Sequence, residues 1–172
     1  FGWQYMGRPM YANFDKNMLT EANYGNSFLL LPADGNNFGE GMLVQHLNEY
    51  KPDLIWILGD LFMFNYLHQR QFDFSPVKTV LYFPSDGYPL VVDAVRVLSK
   101  VSYRVAMSKY GQAQAIDLGF KDVKYIPHAT DHKLFYPEDK SALREKWSKR
   151  LNYNLSDKFV VGTVNRMQGR KM

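Results

Sequence analysis

Asp53-Leu-Ile-Trp-Ile-Leu-Gly59 is the stretch whose reading decides the fold. Its five central residues are all apolar, with two isoleucines and a tryptophan, so neither side of a strand built from them would face water. The run therefore reads as an interior strand covered by helices on both faces of a sheet. Lys51-Pro52 sets its start, because the residue before a proline avoids the helical region and ends the helix in front of it. That helix is expected from about Glu40 to Tyr50, with Met42, Leu43, Leu47 and Tyr50 at helical spacing.

Downstream the same rhythm repeats. A helix from Leu61 to about Arg70 leads to a strand Lys78-Thr-Val-Leu-Tyr-Phe83, which ends in Pro84-Ser-Asp-Gly87. An amphipathic helix Leu90 to Val101 follows, then a strand Tyr103 to Met107, a helix Tyr110 to Leu118 closed by Gly119, and a strand Val123 to Ile126. Upstream, Ser27 to Pro32 reads as a short strand, Ala33 to Gly39 as a turn, and Gln4 to Met18 as a helix with Pro9 near its first turn or a kink. Strands alternating with helices imply right-handed crossovers and a mostly parallel sheet of roughly six strands. The expected class is α/β, Rossmann-like, with helices on both faces.

Three segments follow from this. Residues 1–126 form the Rossmann-like domain, its first strand missing before Phe1. Residues 127–157 form a linker, opened by the irregular Pro127 to Pro137 and continued by a charged helix Glu138 to Leu151 with Leu143, Trp147 and Leu151 at helical spacing. Residues 158–172 start a second domain: an apolar strand, Phe159 to Val164, runs into a loop bearing Arg166, Arg170 and Lys171. Phe1 in place of a starting Met, and a final strand that stops in mid-loop, lead to the expectation of a piece of a longer protein.

The 172 residues are 46% hydrophobic, enough to bury a core. With no cysteine, disulfide frameworks and thiolate metal sites are excluded. The net charge of +4 permits an anionic partner, but Lys and Arg are scattered until the last third and no recognition motif is present, so nucleic acid is not expected. The longest apolar stretch, Leu54 to Phe64, is interrupted by Gly59 and Asp60 and is too short to span a bilayer. Cytoplasm is the default location, with peripheral membrane association left open.

Candidate chemistry falls at strand ends. Asp60 and Asp86 each follow a strand on the edge where parallel sheets take ligands, and either could equally cap the next helix. Ser108 belongs to the same edge, and Trp3, Tyr82 and Tyr88 are the aromatics placed near the expected crevice. Gly2 is a candidate for close backbone approach to a phosphate. Arg166 offers a planar fork and Lys171 a mobile point charge, a pair suited to a diphosphate, although a short basic run is also an ordinary solvated loop. His128 and His132, with Asp131 between them, lie in a proline-bounded loop without helical register or a third ligand, so a structural role is favoured over a metal.

Taken in order, Lys51 to Asp60, Val105 to Gly111, Tyr125 to Asp131 with Phe135 to Pro137, and Val161 to Lys171 resemble retaining group 1 (family 4) glycosyltransferases of the GT-B fold. The resemblance covers the family's acceptor-side domain, its linker and the first strand of its donor-side domain. It implies transfer of a sugar from a nucleotide-sugar donor to a glycan, lipid or protein acceptor, without a metal or other cofactor. Arg166 and Lys171 match the family's diphosphate-binding pair, Gly2 its glycine-rich loop, and Asp86 the position of a histidine or aspartate near the reacting sugar. The sequence departs from the pattern where Ile126-Pro-His-Ala-Thr-Asp131 replaces the usual Ile-Pro-x-Gly-Val-Asp, and the family's Glu-containing motif is not present. The alternative is a non-catalytic Rossmann-like module that binds a nucleotide, glycan or protein.

Overall fold

The computed structural model describes residues 8, 10–13, 27–32, 38–69, 74, 77–85, 87–90, 92–162 and 164. The chain forms two compact units, Phe1–His128 and Ala129–Met172. The first contains a four-stranded sheet, β3 (Leu54–Leu58), β4 (Lys78–Phe83), β5 (Tyr103–Ala106) and β6 (Val123–Tyr125), all parallel and adjacent in sequence order. It also contains a two-stranded antiparallel ribbon of β1 (Met10–Asn13) and β2 (Ser27–Leu30), in which Met10 pairs with Leu30 and Asn13 with Ser27. An α/β fold with a parallel sheet flanked by helices is thus present, with four parallel strands among the described residues against an expectation of roughly six.

Helices alternate with those strands. They are α1 (Glu40–Tyr50), a 3-10 helix (Leu61–His68), α2 (Val92–Lys100) and α3 (Lys109–Asp117). The segment after β3 is two short 3-10 turns joined at a kink, where the Phe64 backbone leaves helical values, and Leu61, Phe64, Tyr66 and Leu67 are its buried residues. In α2 the buried Ala94, Val97 and Leu98 follow the i, i+3, i+4 spacing of an amphipathic α-helix.

The core joins these helices to one face of the sheet, through Ile57, Leu81, Phe83 and Ala106 from the strands and Leu43, Leu67, Val97, Leu98 and Ala115 from the helices. Parallel strands linked in unbroken order by right-handed crossovers carry every connection over the same face. Cover on both sides of β3, expected from its apolar run, is accordingly not found among the described residues. Leu54, Trp56 and Leu58 are 51%, 54% and 60% exposed, and Tyr103 on β5 is 53% exposed. At the far end of the core Arg104 holds α2 to β5. Its Nε donates to the Leu98 carbonyl at 2.6 Å and its Nη2 to that of Val101 at 3.1 Å, while the guanidinium lies 4.9 Å from the Phe120 ring centre. Burial lowers its pKa, and the nearby Asp122 carboxylate opposes that shift.

Two further expectations are corrected. Met10–Asn13 is a strand, not the interior of a helix from Gln4 to Met18. A proline just before it deprives any helix of a donor, whereas pairing with β2 supplies a ladder of backbone bonds. The terminal strand Phe159 to Val164 is also absent: residues 158–162 and 164 are irregular, with Phe159 93% and Val161 82% exposed. An apolar, β-branched run becomes a strand only beside another strand, and none of the described strands lies in the second unit.

That unit is built on α4 (Lys140–Leu151), capped by Asp139, whose Oδ1 accepts from the Ala142 N–H at 2.7 Å. No residue of α4 is buried. The chain after it is held by Arg144 Nη1 donating to the Leu155 carbonyl and by the Leu155 N–H donating to Ser148 Oγ at 2.9 Å.

Candidate functional site

The C-terminal ends of the four strands lie along one edge, and the ladder continues past them. Gly59 N–H donates to the Tyr82 carbonyl at 3.3 Å, Met107 N–H to that of Phe83 at 3.0 Å, and Ile126 N–H to that of Ala106 at 3.1 Å. The segments leaving β3, β5 and β6 are thereby fixed to a neighbouring strand for a residue beyond their own.

Asp60 follows β3, half-buried, at the start of the 3-10 helix. It is not the side-chain cap that an aspartate in this position commonly becomes: its carboxylate accepts no cap bond. Among the described residues it also makes no ion pair. An acceptor-only group is therefore left available at the edge.

Ser108 does the opposite. It is the N-cap of α3, its Oγ accepting from the Gly111 N–H at 2.9 Å, so its hydroxyl oxygen is engaged in holding the helix. Ser108→Ala should lower stability by about 1 kcal/mol, and Ser108→Asp should restore most of it, as read from chemical denaturation midpoints.

Behind Ser108, α3 presses on the loop after β4. A Cβ at Gly111 would stand 3.1 Å from the Ser85 Cβ and 3.3 Å from the Ser108 Oγ, so a side chain there would push these neighbours by a few tenths of an ångström. Across that gap Gln114, 4% exposed, donates from Nε2 to Ser85 Oγ at 2.8 Å, and its buried Oε1 has no partner. The Ser85 loop is thus clamped at its base, while Tyr88 farther along it is 76% exposed.

Tyr82 sits near the end of β4, half-buried, and its hydroxyl donates to the Ile126 carbonyl at 3.0 Å. On one side its ring centre lies 6.1 Å from that of Trp56, and on the other 5.7 Å from that of His128. The His128 Nε2 is in turn 2.8 Å from the Met107 Sδ. His128 was expected only as part of a linker, yet it packs on the sheet edge. The sequence does not show this packing, because its partners come from β4 and the residue after β5.

Asp60, Tyr82 and Ser108 are therefore found at strand ends on one edge, and Tyr88 on the loop after β4. Gly2, Trp3, Asp86, Arg166 and Lys171 lie outside the described residues. His132 is exposed, as is Asp131, whose Oδ1 accepts from the Lys133 N–H at 2.8 Å. Among the described residues no group of three or more His, Asp or Glu side chains is placed to hold a metal ion. No described helix is long and apolar enough to cross a membrane. No family model, curated protein or solved structure matches the chain.

Proposed function

We propose that this chain is the acceptor-side part of a retaining glycosyltransferase that uses a nucleotide-sugar donor. The observation that supports the reading is the edge itself: four parallel strands end together, with Asp60 unengaged and the Tyr82 ring held in place. Ligands of parallel α/β sheets gather beyond the carboxyl ends of the strands.

The difficult step in such a transfer is charge separation. As the bond from the anomeric carbon to the diphosphate breaks, negative charge grows on the departing oxygens and the sugar takes on oxocarbenium character. Cations at Arg166 and Lys171 would stabilise that state more than the bound donor, and they make a metal unnecessary. The acceptor hydroxyl attacks the anomeric carbon from the face the diphosphate is leaving, and its proton passes to a departing phosphate oxygen. No protein nucleophile is consumed. Asp86 would orient the acceptor or the sugar, and Gly2 would let backbone approach the donor phosphates.

The test is to incubate the full-length protein with a panel of nucleotide-sugars and an acceptor mixture, following nucleoside diphosphate release and the configuration of the new bond. Transfer with retention is the expected result. Binding of a nucleotide-sugar or glycan without release from any donor would overturn the proposal in favour of a non-catalytic module, and transfer with inversion would overturn its mechanism.

A further inference from the structure

We propose that Trp56, Tyr82 and His128 form a row of rings that stacks against the faces of pyranose sugars, with Asp60 accepting their hydroxyl groups. Calling the bound sugar chain the acceptor rests on the function proposed above; the binding site itself stands on geometry.

The rings run in sequence across β3, β4 and the segment after β6. Centre-to-centre distances are 6.1 Å and 5.7 Å, with tilts of 58° and 33°. Trp56 is 54% exposed and His128 is exposed, on the side of the sheet that carries none of the core helices. The polar ends of two rings are already engaged, the Tyr82 hydroxyl by the Ile126 carbonyl and the His128 Nε2 by the Met107 sulfur. With those two polar atoms engaged, much of what the row offers a ligand is ring face, which favours a flat surface of C–H bonds.

Charge then selects among ligands that have such a surface. Leu58 pairs with Tyr82 and the Gly59 N–H bonds to the Tyr82 carbonyl, so Asp60 follows two residues past the strand position opposite the middle ring. Its unengaged carboxylate takes hydroxyl donors and repels phosphate, which weighs against a nucleic-acid strand, whose groove needs cations along the backbone. An acyl chain would strip water from that carboxylate and from the imidazole with nothing in return. A neutral oligosaccharide supplies both complements, apolar ring faces for the aromatics and hydroxyls for Asp60.

The experiment is a printed array of neutral oligosaccharides probed with the full-length protein in the absence of donor, with the tightest binder carried into calorimetry. At least one oligosaccharide should bind, and Trp56→Ala should weaken it by about tenfold or more, as removal of an aromatic anchor does. Tyr82→Phe keeps the ring and should weaken binding less. Tyr110→Ala, which removes an exposed ring on α3 outside the row, should leave binding unchanged. No binding across the array, or a folded Trp56→Ala protein that binds like the parent, would overturn the site. Sugar binding without transfer from any donor would uphold the site and defeat the transferase reading. Transfer to a lipid or protein hydroxyl with no oligosaccharide bound would do the reverse.

Discussion

Phe83→Ala will lower the unfolding free energy by about 3–5 kcal/mol, a large part of the roughly 5–15 kcal/mol that holds a typical domain together. Phe83 is the last residue of β4, is 0% exposed, and shares the core with Leu81, Ala106 and the buried face of α2. Truncation would leave a void among residues that the sheet holds in place, so little of it can close. Phe62 gives the contrast, since it is 60% exposed and its ring meets Phe38 edge-to-face at 6.0 Å, so its replacement by alanine should cost about 1 kcal/mol. Denaturant midpoints at constant slope would measure both. A Phe83→Ala protein within ~1 kcal/mol of the parent would show that the core does not centre on β4.

Arg166→Ala in the full-length protein should slow sugar transfer by about 100-fold or more and leave the melting temperature unchanged. A charge-assisted contact to a departing diphosphate acts mainly in the transition state, so its loss falls on rate. Folding should be spared, because the buried core cluster lies between Leu43 and Val123, all of it in the first unit. Arg166→Lys keeps the charge but loses the planar fork, and it too should be slow. Transfer at the parent rate by a normally melting Arg166→Ala protein would remove the diphosphate assignment.

Four strands of the sheet were legible in the sequence nearly to the residue, because each is a short run rich in β-branched, aliphatic or aromatic residues between a helix end and a turn. Less legible was what depends on neighbours. The run Leu54–Leu58 is apolar throughout, and that alone does not reveal that one side of it stays open. Phe159 to Val164 has the composition of an interior strand without the adjacent strand that would make it one. In α4 Leu143, Trp147 and Leu151 fall at helical spacing, and the structure adds that Trp147 is 42% exposed and lies under the Arg150 guanidinium at 5.0 Å. At the site, position in the chain gave Asp60 and Ser108 the same standing as strand-end residues. Only coordinates separate a carboxylate left unengaged from a hydroxyl committed to a cap. The row of Trp56, Tyr82 and His128 had no local signature, since its members meet only after the crossovers are complete.

The unbroken order of β3, β4, β5 and β6 bears on how the sheet can be assembled. Leu54 pairs with Lys78, Val80 with Tyr103, and Arg104 with Val123, so each pairing closes a loop of about 20 residues, a modest entropic cost for parallel strands. No strand waits for a partner made much later. During synthesis each new strand can settle on the one laid down just before it, each crossover helix covering the growing core as it arrives, so that apolar edges stay bare for only one βα unit at a time.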